Sequence, residues 1–275
     1  MSSIKIVGLD LDGTALAPGG YFSEGTKAVF NEAMEKGVHI VIATGRTYHS
    51  LPEDLPEIKG IEFVVTSNGA KVYRIKGKEL VYDNCIDSDS VLALADFFEE
   101  RALNVEIFTD GYAYISQREF DEIKAGNSRR DSKYVISTRT PVESVYDMMR
   151  KHRDNIENIS INYADDDIKE FTENELISFD NITVTSSFSF NNEIGGRTTS
   201  KADGLEALMK MLGLEKCNLM TVGDSMNDLA MIQHAEIGVA MENADEKLKE
   251  AADFVTLSNR EDGVAEAIKK FVLQD

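Results

Sequence analysis

The sequence predicts an α/β protein with a doubly wound, mostly parallel sheet and an inserted α/β domain. Three observations predict this class. Short Ile- and Val-rich runs alternate with helical patterns at both ends of the chain, as strands joined by crossover helices do. Carboxylate or hydroxyl residues follow several of these runs directly. Between residues 84 and 188 the pattern changes to a self-contained α/β stretch, which predicts a separate domain.

The first predicted strand covers residues 4–9 and delivers two carboxylates, Asp10 and Asp12, followed by Gly13 and Thr14. Residues i and i+2 of an extended backbone point to the same side, so Asp10 and Asp12 can converge where open α/β sheets bind ligands. Two ionised carboxylates this close repel, and either a divalent cation between them or a proton on one of them relieves the repulsion. Both arrangements suit a site in which one carboxylate attacks phosphorus and the other moves a proton. A plain Asp-Gly turn is the alternative.

The next elements place a hydroxyl group at the same edge of the sheet. A helical pattern starts at Ser23, and residues 38–43 form a second β-branched strand. This βαβ unit puts Thr44 at the same edge as Asp10. The Thr44 hydroxyl and the backbone N–H groups beside Gly45 are suitable donors to phosphate oxygens.

Arg46 comes next, and it either reaches substrate or lies exposed at a helix start. Residues 63–66 form a third strand. An Asn68-Gly69 turn then leads into a hairpin of residues 71–75 and 79–82.

The inserted domain alternates helices and strands. Helices are predicted over residues 90–103, from Pro141 or Val142 to His152, and up to Leu176; strands are predicted over residues 105–108, 112–115, 159–163 and 182–185. The acids at positions 165–167 are interpreted as capping the last of these helices rather than as metal ligands. A basic cluster is interpreted as a solvated surface, with binding of an anionic part of the substrate as the alternative. Its members are Lys124, Arg129, Arg130, Lys133 and Arg139.

Residues 189–275 are predicted to return to the first domain. Ser200 is a suitable N-cap for a helix that ends at Gly213. Lys201 in the first turn of that helix opposes the helix dipole, and an anion bound beside it removes this penalty. An ordinary surface lysine is the alternative.

The last acids also follow a strand. Residues 218–222 lead into a Gly-Asp-Ser-Met-Asn-Asp string that contains Asp224, Asn227 and Asp228. Helix capping is the alternative for Asp224. Two more strands and a closing helix complete the predicted domain.

Four motifs resemble, in the right order, those of the haloacid dehalogenase-like (HAD) superfamily, most of whose members are phosphatases. They are Asp10 to Thr14, Thr44, Lys201, and Gly223 to Asp228. The Thr44-Gly45-Arg46 and Asn68-Gly69-Ala70 strings are similar to the Cof-type branch, although Ala202 stands where that branch usually has glycine. The resemblance implies a Rossmann-like core of residues 1–83 and 189–275, and a cap of residues 84–188 that serves as a substrate lid.

The resemblance also implies roles for single residues. Asp10 is expected to be the nucleophile and Asp12 the general acid and base. Phosphate is expected to bind Leu11, Thr44, Gly45, Lys201 and Asn227. A metal ion is expected to bind Asp10, Asp224 and the backbone carbonyl of Asp12. Asp228 and Arg46 are expected to orient these groups from outside. Since the ligands are oxygens without a Cys or His set, Mg²⁺ is favoured over zinc.

The bulk composition limits the partners. The 275-residue chain is 42% hydrophobic and carries a net charge of −20, which argues against nucleic acid or an anionic membrane as a partner. No signal pattern or membrane span is visible, and the two cysteines have no metal-binding or redox spacing. We therefore expect a cytoplasmic protein, as a monomer or homodimer, and the resemblance implies that it acts on a small phosphorylated metabolite.

The predicted function is hydrolysis of phosphomonoesters, with sugar phosphates as the class that the resemblance implies. Two alternatives stay open. A phosphomutase uses the same aspartyl-phosphate but returns the phosphoryl group to its substrate. A phosphoaccepting signalling domain also combines acids, a Thr and a Lys, but such domains are about half this length and lack the Asp-x-Asp-Gly-Thr string.

Overall fold

The computed structural model describes residues 3–53, 55–58 and 60–274. The chain divides into two compact units. The first unit comprises Met1–Gly45, Leu51–Asp83 and Ser200–Asp275, and the second comprises Arg46–Ser50 and Asn84–Thr199. The second unit therefore ends at Thr199 and not at the predicted residue 188.

Strands and helices are numbered along the described part of the chain. The strands are β1 (Ile6–Leu9), β2 (His39–Ala43), β3 (Phe63–Thr66), β4 (Lys71–Arg74), β5 (Glu79–Asp83), β6 (Val105–Thr109), β7 (Tyr112–Ser116), β8 (Arg139–Val142), β9 (Ile156–Asn162), β10 (Ile182–Thr185), β11 (Asn191–Gly196), β12 (Leu219–Gly223), β13 (Ile237–Ala240) and β14 (Phe254–Val255). The α-helices are α1 (Glu24–Glu35), α2 (Ser88–Glu100), α3 (Gln117–Lys124), α4 (Ser132–Thr138), α5 (Val145–Lys151), α6 (Asp166–Leu176), α7 (Lys201–Leu212), α8 (Leu229–His234), α9 (Glu246–Ala251) and α10 (Gly263–Ile268). Short helical turns cover Leu11–Ala15, Tyr48–Ser50, Leu55–Glu57, Ser67–Gly69, Arg153–Asn155, Lys216–Asn218, Met226–Asp228 and Lys269–Leu273.

The first unit is built on an eight-stranded sheet in the order β14-β13-β12-β1-β2-β3-β4-β5. Strands β14 to β3 pair in parallel, and β4 and β5 complete the sheet as an antiparallel hairpin. All four residues of β1 are buried, as expected for a parallel strand covered on both faces. This confirms the predicted fold class. Because β1 lies between β12 and β2 and all three strands are parallel, the residues that follow them meet at the carboxyl ends of the strands.

Helix α7 covers one face of this sheet. Its buried face packs into an apolar cluster with side chains from five strands and from α8. The helix begins where predicted, since the Ser200 hydroxyl accepts a hydrogen bond from the backbone N–H of Asp203. It also ends where predicted, at Gly213, which adopts the left-handed conformation with a φ of 70°. These two caps fix Lys201 in the first turn.

The second unit contains a six-stranded sheet in the order β10-β11-β9-β6-β7-β8. All neighbours pair antiparallel except β7 and β8, which are parallel. Helices α2 and α5 cover one face and bury an apolar cluster against β6 and β9. Asp165 caps α6 by accepting from the N–H of Asp167, which confirms the capping interpretation of this acidic stretch.

Two predictions in this unit were wrong. Residues 191–196 were assigned to the returning core, but they form β11, which pairs with both β10 and β9. The helix predicted from Pro141 or Val142 begins only at Val145, because Pro141 and Val142 belong to strand β8 and Ser144 caps the helix. Strand β8 lies at the sheet edge, where a proline without an N–H is tolerated.

The solvated-surface interpretation of the basic cluster was also wrong for two of its members. Glu106 is fully buried and lies 2.5 Å from an Arg130 nitrogen and 3.1 Å from Nε of Arg139. Burial opposes ionisation of Glu106, but Arg139 and Arg130 outweigh it and hold the pKa of this carboxyl below its usual value. The side chains of Arg130 and Arg139 are 10% and 8% exposed, so they form part of the interior of the second unit.

Candidate active site

Asp10 lies directly after β1, and its carboxylate is paired with Lys201. Its backbone N–H donates to the carbonyl of Val222 at 3.0 Å, which continues the pairing with β12 and fixes the residue at the carboxyl end of β1. Nζ of Lys201 donates to Oδ1 of Asp10 and to Oδ1 of Asp228, at 2.6 Å in both cases. Lys201 is 0% exposed. The structure thus joins the ends of β1 and β12 to the start of α7 through one buried ammonium group.

Asp228 is held by three donors. Besides Lys201, its Oδ2 accepts from the backbone N–H of Asp224 at 2.9 Å and of Ser225 at 3.0 Å. Oδ2 is therefore engaged within the turn that follows β12, and Oδ1 is engaged by the first residue of α7. This arrangement supports the prediction that Asp228 orients the site, because each oxygen is already used by a donor.

Asp224 lies against the turn that follows Asp10. Its Oδ1 accepts from the Thr14 hydroxyl at 2.7 Å, and its Oδ2 accepts from the Ser225 hydroxyl at 3.2 Å. Gly13 has a φ of 86°, and a Cβ on it would lie only 2.4 Å from Oδ2 of Asp224. Glycine is thus needed here for its backbone conformation and also for the close approach of a carboxylate.

Asp10, Asp224 and Asp228 form a group whose ligand oxygens lie within 4.8 Å of one another. Three carboxylates face one ammonium, so two negative charges of this group are not balanced by Lys201. Burial raises the pKa of Asp10 well above its ordinary value; Lys201 opposes this, while Asp228 and Asp224 add to it. Burial, with Asp228, raises the pKa of Asp224 to about 6. A cluster of hard oxygen ligands with this excess of negative charge fits a divalent cation.

Asp12 is not one of these three acids. It lies in the helical turn Leu11–Ala15, with an exposed side chain, whereas Leu11 is buried directly beside Asp10. The role of Asp12 as general acid and base stays a prediction.

The residues predicted to bind phosphate from β2 are also in place. Thr44 follows β2, is 1% exposed, and its N–H donates to Val65 on β3 at 2.9 Å. Its neighbour Gly45 lies against Asn68, because a Cβ at position 45 would come within 3.1 Å of Oδ1 of Asn68. The same Oδ1 accepts from Nδ2 of Asn227 at 3.2 Å. Thr44, Gly45 and Asn227 are thus connected through a residue that sequence reasoning treated only as a turn.

Arg46 lies in the second unit. Its guanidinium carbon is 4.8 Å from the centre of the Tyr134 ring, and its side chain donates to the carbonyl of Ser50 at 3.0 Å. Arg139 lies over the same ring at 4.9 Å. The structure therefore places Arg46 in a cation–π contact of the second unit, and its predicted role toward substrate stays a prediction.

Comparisons with known proteins agree with this arrangement. The family model described as haloacid dehalogenase-like hydrolase matches residues 7–268. The 5-amino-6-(5-phospho-D-ribitylamino)uracil phosphatase YcsE of Bacillus subtilis is 30% identical over 270 residues, which cover 98% of this chain and 96% of the relative.

Solved structures give the same result at the level of the fold. A haloacid dehalogenase-like hydrolase from B. subtilis superposes with a TM-score of 0.85 at 28% identity, covering 97% of this chain and 99% of the other. The HAD subclass IIB sugar phosphatase BT4131 reaches a TM-score of 0.80 at 23% identity, with coverage of 97% and 98%, and at this identity it is similar in fold alone. Among the described residues, the helices are too short or too polar to cross a membrane.

Proposed function

Because the chain belongs to the haloacid dehalogenase-like hydrolase family and is a phosphatase, we propose that it hydrolyses small phosphomonoesters through an aspartyl-phosphate on Asp10, with Mg²⁺ as its cofactor. One observation carries this proposal. Asp10 is buried at the carboxyl end of β1, 2.6 Å from an ammonium group. It belongs to a cluster of three carboxylates, of which Lys201 balances only one negative charge. A structural ion pair needs no such excess, whereas a site for a cation and a phosphoryl group does.

The proposed reaction has two steps, and in each of them one bond to phosphorus forms, one breaks and one proton is transferred. A carboxylate oxygen of Asp10 forms a bond to phosphorus while the bond from phosphorus to the leaving oxygen breaks, and Asp12 gives that oxygen a proton. Asp12 then takes a proton from the water that hydrolyses the aspartyl-phosphate, which frees Asp10 and releases phosphate. Positioned proton transfer of this kind contributes ~10²–10⁴-fold to the rate.

The phosphoryl group is expected to be held by donors from several elements. Lys201 supplies a buried positive charge, Thr44 a hydroxyl, Asn227 a side-chain amide, and Leu11 and Gly45 backbone groups. The metal is expected to be held by Asp10, Asp224 and the backbone carbonyl of Asp12. When bound, Mg²⁺ supplies positive charge that neutralises the transferring group.

The name of one relative supports a substrate class. YcsE, which is 30% identical over nearly the whole chain, is named for a phosphate ester of a ribityl chain. We propose that this chain acts on sugar phosphates or related metabolites, with flavin mononucleotide and pyridoxal phosphate as further members of the panel to be tested. The relatives reported above are named hydrolases or phosphatases, which gives the phosphomutase alternative no support.

The remaining parts of the proposal concern the whole protein. The second unit is proposed to be the substrate lid, which closes to exclude water and to contact the leaving group. We also propose a cytoplasmic location and a monomeric or homodimeric state, and the net charge of −20 argues against nucleic acid or an anionic membrane as a partner.

The test is a phosphate-release screen over phosphorylated metabolites, with Mg²⁺ or with EDTA. We expect release from sugar phosphates only with Mg²⁺, and loss of turnover in Asp10→Asn by at least about 1,000-fold with the fold intact. Turnover by Asp10→Asn would refute the nucleophile, and equal activity in EDTA would refute the metal. Phosphoryl transfer between two positions of the substrate without phosphate release would identify a mutase.

A further inference from the structure

The turn Ser67–Gly69 has an unusual backbone for a connection between two strands. Its three residues have φ values of 49°, 55° and 100°, so Ser67 and Asn68 adopt the left-handed conformation that L-residues other than Asn and Asp seldom occupy. All three residues are buried. A strained backbone that stays buried at the edge of a site is a feature to be explained by its contacts.

Asn68 contacts two of the phosphate-binding segments. Its N–H donates to the carbonyl of Thr44 at 3.0 Å, and its side-chain oxygen accepts from Nδ2 of Asn227 at 3.2 Å. Its amide also lies against Gly45, where a Cβ would come within 3.1 Å of Oδ1. Gly45 does not have a positive φ, so its lack of a side chain matters here for space, because a Cβ would press against the Asn68 amide.

Gly69 contacts the third segment. A Cβ at this position would lie 1.8 Å from the carbonyl oxygen of Ser200 and 3.1 Å from the nitrogen of Lys201. The turn therefore lies directly against the start of α7, where the ammonium-bearing residue begins the helix. One short turn therefore lies against three predicted phosphate-binding residues that are far apart in sequence, namely Thr44, Lys201 and Asn227.

We propose that the Ser67–Gly69 turn is a positioning element of the active site, in which Asn68 fixes the orientation of the Asn227 side-chain amide toward the transferred phosphoryl group. This inference rests on the phosphate-binding role proposed for Asn227. An amide that is free to rotate presents either its oxygen or its nitrogen, and an acceptor fixed by the backbone selects one orientation. Pre-orientation of this kind contributes mainly to the transition state, where the charge of the phosphoryl group is redistributed.

The test uses Asn68→Gly, which keeps the left-handed backbone accessible and removes only the side chain. We expect kcat to fall by about 10-fold to 100-fold while KM changes little. The matched control is Lys78→Gly, because Lys78 also has a positive φ of 52° but lies exposed in the β4–β5 hairpin. This control is expected to keep the wild-type kcat.

A double-mutant cycle with Asn227→Ala separates positioning from general structural support. If Asn68 acts through Asn227, the double variant is no slower than Asn227→Ala alone. Fold-losses that multiply in the double variant, or an Asn68→Gly enzyme with wild-type kcat, would overturn the inference.

A second readout does not depend on turnover. In ¹⁵N-labelled protein, the side-chain amide resonances of Asn227 are expected to shift in Asn68→Gly and to stay unchanged in Lys78→Gly. Unchanged Asn227 resonances in Asn68→Gly would contradict the inference even if the enzyme is slow. Absence of phosphate release from the wild-type protein would instead contradict the proposed function.

Discussion

The ammonium group of Lys201 lies 2.6 Å from two buried carboxylates, and this one cation determines how much of the site stays ionised. Burial lowers the pKa of a lysine, but Asp10 and Asp228 outweigh it and hold the pKa of Lys201 above its ordinary value. A fully buried charge is tolerated only when partners of this kind surround it. Lys201 is therefore expected to support both stability and catalysis.

Lys201→Met tests this expectation. Removing the ammonium leaves two buried carboxyl groups without their positively charged partner, so we expect the free energy of unfolding in EDTA to fall by about 3–5 kcal/mol. Phosphate release is expected to fall by at least ~100-fold. The measurements are urea unfolding and steady-state kinetics.

Lys210→Met is the matched control in the same helix. Lys210 is 73% exposed and pairs with Glu206 at 2.7 Å, a solvent-screened surface contact that contributes little to stability. Equal losses in the two variants would show that burial of the Lys201 charge is not the cause.

The raised pKa of Asp224 predicts how the stability of the metal-free protein depends on pH. The folded protein holds a proton on Asp224 up to about pH 6, whereas a carboxyl in the unfolded chain loses it near pH 4. The stabilising contribution is therefore complete below about pH 4 and is lost as the pH rises through about 6.

The comparison is urea unfolding of wild-type protein and Asp224→Asn in EDTA from pH 4 to 7.5. We expect the stability of the wild type to fall relative to the variant as the pH rises through about 6, and Asp10, whose pKa Asp224 helps to raise, contributes in the same direction. Glu119, whose pKa burial raises to about 7, is present in both proteins and cancels. A difference that grows in favour of the wild type would show that Asp224 is stabilised as a carboxylate.

Most site residues were predictable because each follows a strand or begins a helix at the carboxyl ends of the parallel strands. Asp10, Thr44, Lys201 and Asp224 all have this placement. The importance of Asn68 was not predictable, because Ser-Asn-Gly reads as an ordinary turn. Its contacts depend on left-handed φ values at two residues other than glycine, and on partners from distant parts of the chain.

At the scale of elements, helix α7 is held against the sheet by close approach of its backbone. A Cβ on Gly204 would lie 2.5 Å from Cγ1 of Val65 and 3.1 Å from Cα of Gly69. Gly204 lies one turn after Lys201, so the distance between helix and sheet also sets the position of the ammonium group. The helix thus needs glycine here for packing, although glycine lowers helix propensity.

Gly204→Ala is expected to push α7 outward and to lower kcat by about 10-fold or more, because small displacements of a positioned group are costly. Gly213→Ala at the C-cap of the same helix is the control. Its Cβ would meet no atom within 4 Å, but its φ is +70°. It is expected to lose about 1 kcal/mol of stability and to keep the wild-type kcat. Reduced kcat in Gly213→Ala, or an unchanged kcat in Gly204→Ala, would contradict the argument.

Several elements were not predicted because contacts with distant parts of the chain, rather than the local sequence pattern, determine them. Strand β11 reads Asn-Asn-Glu-Ile-Gly-Gly, in which Ile194 is the single β-branched residue, and pairing on both sides determines its structure. Helices α3, α4 and α9 are only six to eight residues long, about two turns each, which is too short for a helical period to be recognised in the sequence. Arg130 and Arg139 were expected at the surface because charged side chains usually are, and Glu106, their buried partner, is distant in sequence.

At the scale of the whole molecule, the second unit is closed at its own ends. Nδ2 of Asn84 donates to the carbonyl of Thr198 at 2.8 Å, and the Thr199 hydroxyl donates to the carbonyl of Asn84 at 2.9 Å. The two points at which the main segment of this unit begins and ends are therefore adjacent.

This closure predicts the result of excision. Replacing residues 85–198 by a short Gly/Ser linker is expected to leave a first unit that folds, binds Mg²⁺, and discriminates less between phosphomonoesters, which the phosphate-release panel measures. Cutting at residue 188 instead leaves β11 without its neighbours, so this variant is expected to be less soluble. Unchanged substrate selectivity in the soluble variant would argue against a lid.

The joined ends of Asn84 and Thr199 have a consequence for the ancestry and engineering of such proteins. Because its ends are adjacent, the segment of more than a hundred residues between Asn84 and Thr199 is connected to the first unit as a short loop would be. Lengthening a loop costs little entropy. One half of the molecule is thereby open to replacement, shortening or recombination while the chemistry of the other half is left as it stands.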